Sequence, residues 1–257
     1  MNRMDREQAA PVRLFPLGDA AAVVQFGSRI GETARRKVQA LIAILEQHPF
    51  PGLIEAVPAF VTVTVYYDPM KVADPHTGET WSSHSGHGIR SPFGIVSSLL
   101  SRLTASLGSD DEKDVSRIVE IPVCYGGELG PDLQEVAELN GLAPEEVIGI
   151  HSQADYRVHM IGFAPGFPYL GGMSERIAAP RRSVPRVNIE AGSVGIGGSQ
   201  TGIYPIATPG GWRLIGRTPL KLFQPDRAEP SLLRAGDLVR FRPIRYEQYI
   251  EWGEDGT

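Results

Sequence analysis

Apolar positions along the chain follow two regimes, divided near residue 115. In the first, Val38, Leu41, Ile42 and Leu45 recur at spacings of three and four, which places them on one helical face. The spacing predicts a helix from about Gly31 to Gln47, stopped by Pro49, Pro51 and Gly52. Ile95, Leu99, Leu100 and Leu103 repeat the pattern and predict a second helix over 92–107. Between the two, Val61, Val63 and Val65 alternate with Thr62, Thr64 and Tyr66, the period of a half-buried strand, closed by Asp68-Pro69. Leu53 to Val57 predicts another short strand, and Arg13 to Phe26 an extended stretch folded at Gly18-Asp19. Arg117 to Val123 can add one more strand. This order suits a small α+β sandwich, with helices on one face of an antiparallel sheet.

Residues 70–90 keep neither period; glycines, serines, His76, His84 and His87 make them a surface loop or insertion. The charged run from Ser109 to Asp114 carries no apolar residue and marks a domain boundary, with expected domains of 12–112 and 116–246. Beyond it, Pro131 to Asn140 and Pro144 to His151 predict two short helices. Asp132 stands near the start of the first, and Pro144 in the first turn of the second. From Asp155 onward, short apolar runs are cut by Gly and Pro, the pattern of a β-barrel or sandwich. No internal repeat interrupts this reading.

Composition narrows the function classes. The 257 residues are 42% hydrophobic and 21% charged, with a net charge of -5, so the chain lacks the basic excess of a nucleic-acid binder. Cys124 is the single cysteine, which excludes an intrachain disulfide and a cysteine-cluster zinc site. On its apolar run it reads as a small core residue. The polar stretch Met1–Pro11 has no apolar signal-peptide core, and no run of about 18 apolar residues predicts a membrane span. A cytoplasmic location is expected.

The densest chemical signal lies between Met160 and Pro219. Glycines there allow positive φ and close backbone approach, and successive backbone N–H groups can cradle an anion. The candidate cradle is Gly195, Gly197, Gly198, Gly210 and Gly211. Arg181, Arg182, Arg186, Arg213 and Arg217 add planar donors suited to carboxylate or phosphate, and Gln200, Thr201, Tyr204 and Thr208 add neutral ones. A small anionic or amide ligand fits this inventory. Tight barrel turns call for the same glycines and prolines, so packing and ligand roles both stay open. Trp212 reads as a packing residue or an interface anchor. No Gly-Lys-Ser/Thr follows the glycines, so there is no Walker A loop, and no strand–turn–helix context makes a dinucleotide fingerprint. The absence of Gly-x-Ser-x-Gly leaves a serine hydrolase unsupported. His76, His84 and His87 lack paired carboxylates, so no metal site is assigned. His151 and His159 read as hydrogen-bonded structural histidines. Glu145 and Glu146 read as acids serving a helix dipole.

Several runs carry a family resemblance: MIGFAPGFPYL from Met160, GSVGIGGSQTGIYP from Gly192 and PGGWRLIGRTP from Pro209. IPVCYGGELGPDL from Ile121, PRRSVPR from Pro180, Gly18-Asp19 and Tyr67-Asp68-Pro69 support it. The chain, from about Arg13 to Ile244, resembles the family of 5-oxoprolinase B subunits and the sporulation kinase A inhibitor. That family is also called allophanate hydrolase subunit 1 and is similar to half of the carboxyltransferase domain of urea carboxylase. The resemblance implies a ferredoxin-like N-terminal α/β sandwich followed by a cyclophilin-like C-terminal β-barrel. It implies a C-type partner subunit, the kinase-inhibitor antagonist, with a site formed between the two. With an A-type subunit the complex would convert 5-oxoproline to glutamate using ATP, whose site this chain does not reveal.

The segments 192–204 and 209–219 would line the shared site, with Gln200, Tyr204, Arg213, Arg217 and Arg186 as ligand contacts. No catalytic residue is assigned. Two alternatives remain: a regulator that inhibits a histidine kinase, and a carboxyltransferase or allophanate hydrolase-type subunit acting on urea-like amides. The chain has no Ala-Met-Lys-Met biotinyl site. Glu190 stands where the resemblance often has proline, which either loosens the turn or sets a charge at the site's edge.

Overall fold

A computed structural model describes residues 11–29, 31–75, 78, 80, 91–107 and 117–255. The chain divides into two compact units, Met1–Lys113 and Asp114–Thr257. His76, His84, His87 and the Ser109–Asp114 run fall outside the described residues. No described helix is long and apolar enough to cross a membrane.

The first unit runs β1 (Arg13–Pro16), β2 (Ala21–Gln25), α1 (Glu32–Gln47), β3 (Leu53–Pro58), β4 (Thr62–Tyr67) and α2 (Pro92–Ser106). Its four strands form one antiparallel sheet in the order β1-β2-β4-β3. The alternation read from the sequence decides which face is covered. Val63, Val65 and Tyr67 point into the core with Ala22 and Val24, while the intervening Tyr66 is exposed. Val38, Leu41 and Leu45 of α1 and Ile95, Val96, Leu99 and Leu100 of α2 close over that face. Ser91 caps α2, its hydroxyl accepting from the Gly94 N–H at 3.0 Å, and Pro92 takes the first turn, where no N–H is needed.

The second unit is a closed barrel of seven strands, consistent with the cyclophilin-like expectation. Its order is β10-β7-β6-β13-β5-β12-β9, built from β5 (Ile118–Tyr125), β6 (Asp155–Ile161), β7 (Pro168–Gly171), β9 (Ser193–Gly197), β10 (Gln200–Ile203), β12 (Arg213–Arg217) and β13 (Leu238–Pro243). A two-stranded flap, β8 (Arg186–Ile189) with β11 (Thr208–Gly210), stands outside the closed ring. The strand read at Arg117–Val123 belongs to this barrel as β5, parallel to β13 and antiparallel to β12. Its partners lie about a hundred residues downstream, beyond the reach of any local pattern. Closure leaves the ring no free edge. Helices α3 (Leu133–Asn140) and α4 (Pro144–Gln153) cover the barrel through Leu133, Val136, Ala137 and Val147, in one core with Ile121, Val194, Ile196 and Ile215. A last helix, α5 (Tyr246–Asp255), has no counterpart in the sequence reading.

Inside the barrel a polar thread joins three elements. Thr201 Oγ1 donates to the Gly195 carbonyl at 3.0 Å, so it accepts from His151 Nε2 at 2.9 Å. His151 Nδ1 then accepts from the Tyr125 hydroxyl at 2.8 Å. Every ring nitrogen is used, and burial pushes the imidazole down to about 3, so His151 is neutral. It is the hydrogen-bonded structural histidine its sequence context suggested.

Candidate functional site

The three motif segments meet on one side of the barrel. The β6–β7 hairpin brings Phe163, Phe167 and Tyr169, the β9–β10 hairpin and its exit bring Gln200 and Tyr204, and the approach to β12 brings Trp212. Phe167 is the centre: its ring meets Phe163, Tyr169, Tyr204 and Trp212 edge-on, with centroids 5.2–5.7 Å apart. Edge-to-face contacts of this kind suit the ring quadrupoles. Arg181 lies over Trp212, 5.8 Å from its centroid, as a cation on a π face.

The glycines of these segments make this wall possible. A Cβ on Gly197 would sit 2.6 Å from the Trp212 indole nitrogen, and one on Gly210 would sit 2.5 Å from the Tyr204 hydroxyl. Gly195 likewise lies under Trp212. Gly198 turns the β9–β10 hairpin at φ +67°, and Gly211 has only ordinary neighbours. Three of the five candidate cradle glycines are therefore covered by Trp212 and Tyr204 side chains.

Beside the aromatic wall, acids and arginines interlock. Asp132 is buried and receives four donors: Arg186 Nη1 and Nη2 at 2.8 Å each, Arg182 Nη1 at 3.1 Å, and the Leu214 backbone N–H at 2.7 Å. Burial alone would raise this carboxyl, but Arg186, the Leu214 N–H and the two guanidinium charges outweigh it and hold it below its ordinary value. Arg213 donates to the Pro180 carbonyl at 3.0 Å and pairs with Glu135. Arg217 pairs with Glu190, and its Nε finds no hydrogen-bond partner among the described residues. Burial raises the Tyr204 phenol, partly offset by a hydrogen bond from the Trp212 backbone and by the charges of Arg181 and Arg186.

Each ligand-contact candidate thus has a definite place. Tyr204 lies in the aromatic wall. Arg186 and Arg213 are committed to Asp132 and Glu135, which they brace against the barrel. Gln200 is half-buried at the start of β10, opposite Gly197. Arg217 ends β12, tied to Glu190. Among the described residues no group of His, Cys, Asp and Glu is placed to hold a metal ion.

Two residues carry site geometry that the sequence reading did not single out. Asp132 looks like a helix N-cap but makes no capping bond, its carboxylate being spent on the arginines. Phe163 has a φ of +70° and is 65% exposed. A left-handed backbone at a non-glycine residue costs about 1–3 kcal/mol and persists only where the surrounding structure holds it. Val184 and Val187 are also exposed apolar residues, the latter 88% exposed on β8.

Comparisons with known proteins agree over most of the chain. The family described as carboxyltransferase domain, subdomain C and D, matches residues 12–233. The 5-oxoprolinase B subunit of Bacillus subtilis is 54% identical over 94% of this chain and 96% of its own length. That of Escherichia coli O157:H7 is 40% identical over 90% of this chain and 95% of its own. Among solved structures, TTHA0988 superposes with a TM-score of 0.69 at 36% identity, covering 91% of this chain. This chain spans 40% of that longer one.

Proposed function

Because this chain belongs to the carboxyltransferase-domain family of subdomains C and D, we propose that it is the B subunit of a 5-oxoprolinase. Whole-length similarity carries the reading: 54% identity to a 5-oxoprolinase B subunit, reaching nearly end to end in both chains. The proposed enzyme joins this chain to a C-type and an A-type subunit, works in the cytoplasm, and opens 5-oxoproline to glutamate with ATP. The longer solved relative, in which this unit is 40% of one chain, supports a permanent neighbour. We read the N-terminal unit as ferredoxin-like: β2-α1-β3-β4-α2 supplies three strands and two helices, and β1 stands beside β2 where a closing strand belongs.

This chain's part is recognition and assembly. 5-Oxoproline is a flat cyclic amide with a carboxylate, and a guanidinium matches that carboxylate. The exposed Phe163 ring suits a partner surface, since interface energy concentrates in a few aromatic anchors. The chain carries no Walker A loop, so we place the nucleotide on another subunit. A shared site makes the chain inactive alone.

The test is glutamate release from 5-oxoproline and ATP, with this chain alone and then with its C-type and A-type partners. Activity only in the full mixture is expected. An intact complex that turns over urea or allophanate but not 5-oxoproline sinks the proposal in favour of the urea-like amide reading.

A further inference from the structure

Between β12 and β13 the chain makes an excursion that is clipped at its base. Leu222 and Leu233, near its two ends, are each 1% exposed in the barrel core. Phe223 bridges Ser231, the Leu232 N–H donates to the Leu222 carbonyl at 2.8 Å, and the Gln224 N–H donates to the Pro230 carbonyl at 2.8 Å. Pro225 and Asp226 fill the centre of a turn that the Arg227 N–H closes on the Gln224 carbonyl at 3.2 Å. Proline there presets the backbone for the turn. This framed loop and Arg117 enclose a pocket of about 400 Å³.

Two arginines line that pocket, and they are held differently. Arg117 is gripped from behind. Its Nε and Nη2 donate to the Asp237 carboxylate at 3.0 and 2.5 Å, and Nη2 also donates to the Leu232 carbonyl at 2.7 Å. Asp237 is 5% exposed and accepts from the Arg234 N–H at 2.8 Å, so this grip belongs to the fold. The Nη1 edge of Arg117 makes no hydrogen bond among the described residues, although the side chain is 47% exposed. Arg227, from the turn, pairs with no carboxylate among the described residues. The neighbouring acids are accounted for: Asp237 serves Arg117, Glu229 pairs with Arg234, and Asp226 does not line the pocket. One positive charge is left in surplus. Gln224 and Ser231 add neutral hydrogen-bonding groups. None of these residues belongs to the aromatic wall.

We propose that this pocket binds a phosphate dianion, with the Nη1 edge of Arg117 and the guanidinium of Arg227 as cationic donors and Ser231 and Gln224 as neutral ones. A planar carboxylate is satisfied by one guanidinium fork. A tetrahedral dianion has the charge and the oxygens for two arginines from separate segments and a hydroxyl besides. The pocket exceeds a bare ion in size, and Ala228 and Pro230 line it where the body of a small phosphate ester would rest. Glu229, also in the lining, lowers affinity by repulsion. The site is independent of the aromatic wall and of the substrate assigned to the enzyme.

The experiment is calorimetric titration of the intact chain with inorganic phosphate, glycerol 3-phosphate and acetate at matched ionic strength. Arg227→Gln is expected to bind phosphate about ten-fold weaker or worse. It is also expected to melt with wild type, because it removes no ion pair of the fold. Glu229→Gln is expected to bind phosphate about three-fold tighter, a gain that misfolding cannot produce. Acetate is expected to bind about ten-fold weaker than phosphate or worse. Glycerol 3-phosphate binding tighter than phosphate identifies an ester as the ligand, and the reverse order identifies the free ion; both support the site. No phosphate binding by wild type, equal affinity in wild type and Arg227→Gln, weaker binding in Glu229→Gln, or acetate binding as tight as phosphate overturns the inference. Glutamate release by the assembled subunits is read separately, so the pocket can fail while the 5-oxoprolinase assignment stands, and the reverse.

Discussion

Asp132 and Arg186, 54 residues apart, meet in a two-pronged pair with both bonds at 2.8 Å. Arg182 and the Leu214 N–H take up the carboxylate's remaining capacity. One acid thereby ties the start of α3 to the flap and to β12, the elements that hold the aromatic wall. Removing one partner of a buried pair strands the other charge, which costs about 3–5 kcal/mol. Asp132→Ala is expected to destabilise the chain by about 3 kcal/mol or more in urea unfolding. A loss under about 1 kcal/mol would show that the arginines find solvent instead.

That pair also marks the limit of what the sequence discloses. Helices α1 and α2 and strand β4 follow from local period, because one face of each meets a core made of its own near neighbours. The residues from Met160 to Pro219 announce themselves through glycine and arginine density, and they do converge. Their roles are set by distant partners. Whether a glycine opens to a ligand or accommodates Trp212 depends on a side chain many residues away. Asp132 reads locally as a cap because Asp before a helix usually is one. Helix α5 gives no clear local signal because its apolar residues are few among polar ones, and Tyr246, Ile250 and Trp252 remain exposed.

Stability is expected to fall with acidity in two windows. His151 has its folded value near 3 against an ordinary 6.5, so the unfolded chain binds the extra proton between those values. Its contribution is complete above pH 6.5 and is lost at up to about 1.4 kcal/mol per pH unit as pH falls toward 3. Asp132, held below its ordinary 3.8, has the same sign but acts only below that value. Urea midpoints at pH 7 and pH 5 measure the histidine window alone. Equal midpoints would mean that His151 gains a proton in the folded barrel.

Gly197→Ala tests whether the motif glycines serve packing. The new methyl would overlap the Trp212 indole. Overpacking of this kind costs about 1–3 kcal/mol, and displacement of Trp212 from Phe167 and Tyr204 is expected to weaken the near-ultraviolet circular dichroism. Gly198→Ala meets no neighbour within 4 Å but carries the strain of φ +67°. It is expected to lower stability while leaving the aromatic signal of the folded protein unchanged. The same spectral loss in both variants would count against the packing role.

Phe163 separates folding from assembly. Its left-handed backbone is a cost to the fold, and its ring touches Phe167 while most of its surface faces solvent. Asparagine tolerates that conformation better than phenylalanine does. Phe163→Asn is therefore expected to leave thermal stability within about 0.5 kcal/mol of wild type, as surface substitutions usually do. If the exposed ring anchors the neighbouring subunit, the same change weakens assembly strongly, because interface energy concentrates in a few aromatic anchors. Sedimentation of the mixed subunits, followed by glutamate release, reads both effects. Normal assembly and normal activity in a stable Phe163→Asn chain would place the subunit contact elsewhere and leave the strain at Phe163 without a use.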